Sequence, residues 1–332
     1  MALAVLLLAH IVPLLAGFFA PYDPARQYRD FPYAPPMRLH IIDSTGHWHL
    51  RPFVYAWTPS PEEFGQYLED RSRGYSLHLF VPGPEYQLGG FLHAHIHLVG
   101  VDTPGQFFLL GTDGYGRDIL SRLIYGGRIS LFAGLLATAL SLGAGLLIGV
   151  VAGYYGGFAD DALMRLAELF LAMPWLYLLL AVRAFMPLRI TPEQAFLLVV
   201  IVVGAVGWAR PARLIRGVVL SAKERNYVLA ARGFGASGFY LMRKHILPQA
   251  WGVMLTQAAL LIPQYILAEL TLSFFGLGVG EPVPSWGNML AALQQYSVLS
   301  NYWWMLAPAL VLIPVTWAYY VLASRLNQRL QA

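Results

Sequence analysis

The chain has 332 residues, 57% of them hydrophobic and 12% charged, with a formal net charge of +4 and a mean hydropathy of +0.54. Soluble domains carry about 25% charged residues, so an ordinary globular protein is excluded and an all-α membrane protein is indicated. The absence of cysteine excludes disulfides, thiolate metal ligands and a cysteine nucleophile, and the basic residues gather in one loop instead of forming a face for nucleic acid.

Apolar runs long enough to cross roughly 30 Å of hydrocarbon fall at residues 2–20, 129–153, 163–182, 195–208, 251–275 and 303–323, which predicts six transmembrane helices. The first run has no basic leader, ends in Phe18, Phe19 and Ala20 instead of a small-x-small cleavage site, and is followed by Pro21. Residues 1–20 are therefore expected to be a retained first transmembrane helix, not a signal peptide.

Residues 21–110 are polar and proline-rich, too long for a simple connection. Alternating stretches at 77–81 and 91–99 predict a small, β-containing, extracytoplasmic insert, and 28–36 reads as irregular chain held by prolines. Within the insert His93, His95 and His97 alternate, so on a strand they share one face. Three imidazoles can begin a zinc site, but one strand spreads them over about 13 Å, and a solvated or packed polar face is the favoured reading.

Residues 111–332 are expected to form a five-helix core. Glu168 stands three residues from Arg165 in the third run, a spacing that allows an ion pair, and Arg183 is expected to reach for the outer surface. Pro174 and Pro263 interrupt the backbone ladder of the third and fifth runs. Glu168 and Glu269, inside apolar runs, are candidates for the transport path or for a structural role, the latter favoured for Glu269.

Between the fourth and fifth runs, residues 209–250 carry Arg210, Arg213, Arg216, Lys223, Arg225, Arg232, Arg243 and Lys244 against the single acid Glu224. The positive-inside rule places this loop in the cytoplasm, and an even number of crossings puts both termini there, in agreement with Arg325 and Arg329 after the last run. Ala230 and Ala231 leave room for another protein's backbone, and Gly235, Ala236, Ser237 and Gly238 can turn sharply. The segment from Gly276 and Gly278 to Trp286 and Asn288 holds too much glycine and proline for a span and is expected to fold back at the outer mouth. Tyr302, Trp303, Trp304, Trp317, Tyr319 and Tyr320 mark the ends of the last run, as headgroup-seeking aromatics do.

Several of these segments form recognisable motifs. The loop around Ala230, Ala231, Arg232, Gly235, Ala236, Lys244 and Pro248 resembles the "EAA" loop of ABC importer permeases. Leu110 to Asp118 (LGTDGYGRD), followed by Ser121 to Leu131 (SRLIYGGRISL), resembles the approach to the second span in the C-type permeases of dipeptide, oligopeptide and nickel importers. Pro21 to Pro24, Gly153 to Gly157 with Asp160 and Arg165, and Glu269 to Leu290 fit the same family in the same order. Two positions depart from its pattern: Leu229 replaces the glutamate that names the loop, and His245 a later isoleucine.

The resemblance implies the type I importer permease fold and one half of a pore for peptides or a similar solute. It also implies a second permease, two ATPase subunits that use ATP and magnesium, an extracytoplasmic solute-binding protein, and surrounding membrane lipid. The chain has no GxxxxGK[ST] phosphate loop, HExxH motif or nucleophile elbow, so no catalytic residue or bound cofactor of its own is expected. A secondary carrier, or a membrane-anchored receptor using the insert, are the rival readings; the first leaves the loop around Gly235 without a purpose, the second the span motifs.

Overall fold

The computed structural model describes residues 1–60, 65–88, 92–184 and 191–331. In chain order they form α1 (Ala2–Leu14), the single turn α2 (Ala16–Phe19), strands β1 (His40–Ile42), β2 (Trp48–Pro59), β3 (Tyr67–Leu88) and β4 (Leu92–Val101), then α3 (Ile119–Tyr155) and α4 (Gly157–Ala172). Next come α5 (Trp175–Ala184), α6 (Pro192–Gly207), α7 (Ala209–Lys223), α8 (Asn226–Gly233), α9 (Gly238–Leu241), a π-helical turn (Met242–Ile246) and α10 (Leu247–Phe274). The last helices are α11 (Trp286–Ala291), α12 (Tyr296–Asn301) and α13 (Ala307–Gln331).

Among the described residues, three continuous helical stretches are long and apolar enough to cross a membrane: Ile119–Tyr155, Gly238–Phe274 and Trp303–Gln328. The pair α6 and α7 makes a fourth if taken as one span bent by 43°. Two predicted runs are not single helices. The run at 2–20 breaks after the 13-residue α1, which contains Pro13, and 163–182 breaks between α4 and α5 at Pro174, which has no amide hydrogen to continue the ladder.

The chain divides into two compact units. One comprises Met1–Leu6, Leu131–Leu272 and Val315–Ala332. In it a glycine row on α3 meets α7: a Cβ on Gly145 would fall 2.6 Å from Pro211 Cβ, on Gly149 2.5 Å from the Ala212 carbonyl oxygen, and on Gly153 2.8 Å from Val219 Cβ. Only hydrogen at these positions allows the two backbones so close. Opposite them α7 presents Ala209, Ala212, Ile215, Val219 and Ala222, all buried, and Val150, Ile246 and Ala250 complete this part of the core. Residues 209–223, which their charge assigns to a loop, therefore run beside the second half of the predicted span at 129–153. This helix is amphipathic, and its arginines occupy the other face. Arg216 grips Asp160, in the first turn of α4, with a bidentate pair at 2.5 and 2.6 Å.

The other unit comprises Leu7–Ser130 and Ser273–Pro314. Its sheet is an antiparallel meander in the order β1-β2-β3-β4. The sheet closes over Tyr28, Met37, Val54, Phe107 and Phe108, with Tyr75, Leu77, Val99 and Val101 packed around them. The stretch 28–36 is irregular as expected, tied down by the Thr112 hydroxyl, which accepts from Ala34 N at 2.8 Å and donates to the Phe31 carbonyl at 2.5 Å.

Candidate functional site

In the loop at 226–248, α8 ends in a Schellman motif: Ala236 N donates to the Ala231 carbonyl and Gly235 N to the Arg232 carbonyl, both at 3.0 Å. Gly235 has φ +84°, and a Cβ there would meet nothing within 4 Å, so backbone conformation alone demands glycine. Ser237 then caps α9 by accepting from Tyr240 N at 3.3 Å. Val228 anchors α8 with a fully buried side chain, while Ala230 is exposed and Ala231 half-buried. Arg232 and Lys244 are exposed and, among the described residues, make no ion pair.

Two side chains that the sequence reading passed over dominate this surface: Phe234 is 93% exposed and Phe239 73%, one on each side of Gly235. Their signal was available, as two aromatics flanking a glycine turn within a basic loop. Leu229, at the position of the missing glutamate, is exposed. The tie from α8 to α10 is made otherwise: Gln249 donates to the Tyr227 hydroxyl, and the His245 ring lies 5.7 Å from both Tyr227 and Tyr240. Pro248 cannot donate to the Lys244 carbonyl, and the helix passes this point by widening into the π turn Met242–Ile246.

The segment expected at the outer mouth lies wholly in the second unit. Gly276 takes φ +71°, and a Cβ on Gly278 would overlap the Ser273 hydroxyl. Asn288 organises the turn, donating to the Val279 and Val283 carbonyls at 3.2 and 2.8 Å and accepting from Ser285 N at 3.0 Å. Trp286 is buried, its indole donating to the Leu123 carbonyl at 2.9 Å and its backbone N–H to Ser130 Oγ at 3.1 Å.

The same segment supplies Glu281, which joins two arginines of the 110–131 motif. Arg117 donates to it at 2.6 and 3.2 Å and Arg122 at 2.8 Å, while Asp113 holds Arg117 from the other side at 2.7 Å. Two cations and two carboxylates balance, so a buried Arg122 is tolerated. A cavity of about 440 Å³ opens beside them, bordered by Tyr33, Asp113, Arg117, Arg122, Glu281 and Gln295. This geometry fixes shape and charge; it does not place a nucleophile against a base.

The other candidate residues are not brought together. Glu168 and Arg165 are both exposed on α4 and do not form the ion pair their spacing allows, whereas Glu269 is buried in α10. The side chain of Arg183 lies outside the described residues. Of the three histidines, His93 and His95 are exposed, but His97 is buried with Nδ1 2.7 Å from the Ala20 carbonyl and Nε2 3.1 Å from that of Pro84. Both His97 nitrogens are thus engaged by backbone oxygens.

Known proteins resemble this chain over much of its length. The dipeptide transport system permease protein DppC of Bacillus subtilis is 38% identical over 68% of this chain and 69% of its own length. The oligopeptide transport system permease protein OppC of the same organism is 36% identical over 63% and 67% respectively. A solved inward-facing structure of the MetNI methionine ABC transporter covers 64% of this chain and 97% of its own at 17% identity and a TM-score of 0.47. Residues 145–332, which contain the row of glycines from Gly145, the capped loop around Gly235 and the turn built on Asn288, match the family model described as binding-protein-dependent transport system inner membrane component. The chain belongs to that family of inner-membrane transport permeases.

Proposed function

We propose that this chain is the permease subunit of an ATP-binding-cassette importer for peptides, forming half of the pore and coupling to ATPase subunits through residues 226–248. The curated relatives named for dipeptide and oligopeptide transport support the substrate class. A second, different permease completes the pore, ATPase subunits consume ATP and magnesium on the cytoplasmic side, and a solute-binding protein delivers the peptide from outside. The chain itself binds no cofactor, crosses the lipid bilayer six times with both termini inside, and holds the insert at 21–110 on the outer face.

The observation that carries the coupling role is the pairing of a rigid turn with exposed apolar rings. Phe234 and Phe239 stand in solvent beside a helix end closed by its own backbone, the kind of preorganised anchor that fills a partner's groove. Gly235→Val opposes the left-handed conformation at a cost of about 1 kcal/mol or more, and Ala231→Asp or Phe234→Ala alters the contact surface itself. All three variants are expected to insert and to retain the second permease, yet to lose the ATPase or its stimulation by the loaded binding protein. Retained ATPase and stimulated hydrolysis are measured on detergent-purified complexes. Wild-type values for both, in all three variants, would refute the coupling role.

A further inference from the structure

A cavity of about 450 Å³ opens among α4, α6, α7 and α10, with Phe170, Val203, Arg210, Gln264, Tyr265 and Leu267 in its wall. Its size is that of a small-ligand pocket and its wall is largely apolar, with a few polar groups among aliphatic and aromatic ones. Arg210 and Gln264 are exposed into this space. Among the described residues, no carboxylate lies within ion-pair distance of Arg210.

The level of this cavity follows from the packing of its walls. Tyr265 and Ser141 share a hydrogen bond of 2.9 Å, and Gly207 lies so close that a Cβ there would overlap the Tyr265 hydroxyl. Ser141 is the central residue of the apolar run 129–153, and Arg210 follows Gly207 by less than one turn, about 4.5 Å of helix. The 43° bend between α6 and α7 lies between them. A guanidinium that no carboxylate among the described residues compensates, beside the midpoint of an apolar span, is costly, and such residues face a pathway or a charged partner.

We propose that this cavity is a subsite for the C-terminal carboxylate of the transported peptide, with Arg210 as its cation and Gln264 as the amide that orients the adjoining peptide group. The proposal rests on the importer reading above. Every unmodified peptide ends in a carboxylate whatever its side chains, so one arginine recognises a feature common to the class. The planar guanidinium matches that group with two parallel hydrogen bonds, and Gln264 can both donate to and accept from a backbone amide. The apolar wall makes no hydrogen-bond demand and takes varied side chains.

The test uses the assembled importer in vesicles, supplied with random tripeptides either with free carboxylates or as C-terminal amides. Arg210→Gln is expected to lower uptake of the free-carboxylate pool about tenfold, the scale of one lost charge-assisted contact, and to leave the amide pool unchanged. Arg210→Lys should restore most of the difference. The binding protein is the same throughout, so its own preference cancels between variants. Equal loss for both pools, or no loss, overturns the subsite. Loss of the second permease from purified Arg210→Gln complexes also overturns it, because Arg210 would then pair with an acid of that partner. If the unaltered importer takes up neither pool, the peptide reading itself fails, and that outcome is distinct from a failure confined to Arg210.

Discussion

Asp118 closes the first turn of α3, accepting from Ser121 N at 2.7 Å and from its hydroxyl at 2.6 Å. It is almost completely buried, and burial pushes its carboxyl from 3.8 up to about 7, against the opposing pull of the Ser121 hydrogen bonds. The folded state holds the proton more tightly than the unfolded chain, so this group's contribution to stability falls as pH rises from about 4 to 7. Asp118→Asn keeps a capping oxygen and removes the buried charge. Its melting temperature in detergent is expected to match the parent near pH 4 and to exceed it at pH 8, the underlying difference being at most about 4 kcal/mol. A gap between the two proteins that is independent of pH would remove burial as the cause. Gly235 is the opposite kind of residue, free of neighbours and constrained only by φ, so its substitution is felt in the loop and not in the core.

Among elements, the contact of α3 with α7 depends on the glycine row. Gly149→Leu drives a side chain into the Ala212 backbone and is expected to lower stability by about 1–3 kcal/mol, read as a fall in melting temperature and in the yield of assembled complex. Gly143 lies on the same helix, and a Cβ on it would meet nothing within 4 Å, so Gly143→Ala is expected to be neutral or stabilising by up to about 1 kcal/mol. The two substitutions separate packing from helix propensity, since both replace a glycine in α3. Should Gly143→Ala be as damaging as Gly149→Leu, close approach of α7 would not explain the row.

At the scale of the whole molecule, the sheet is not separable from the rest of the insert. Its sheet residues Val54, Tyr75 and Val99 pack with Tyr28 and Met37 before β1 and with Phe107 and Phe108 after β4. Deleting residues 28–99 is therefore expected to expose Phe107 and Phe108 and unfold the unit, detected as aggregation on size-exclusion chromatography. A monodisperse deletion variant would show that the cluster is dispensable. Sidedness can be measured directly because the chain has no cysteine. His47→Cys in the β1–β2 turn is expected to react with an impermeant maleimide in intact cells, and Phe234→Cys only after the membrane is opened. The reverse pattern would invert the proposed topology.

Hydropathy and motif spacing made the membrane class, the apolar runs and the family legible in the sequence, because these are local properties of contiguous residues. The positive φ at Gly235 and the turn through Asn288 were legible for the same reason, since a turn is specified by a few neighbouring side chains. Tertiary structure alone decided the rest. Charge marked residues 209–223 only as part of a basic segment, and the fit of their small buried face against Gly145, Gly149 and Gly153 is what brings α7 alongside α3. The arginines of the 110–131 motif gave no sign of their partner, because Glu281 lies 164 residues from Arg117 in the chain and only folding brings its carboxylate within 2.6 Å. The histidine alternation suggested a shared face, yet the Ala20 and Pro84 carbonyls claim the ring of His97. Periodicity says which residues share a face; what that face meets depends on contacts between segments far apart in the chain, and those are fixed only when the backbones pack.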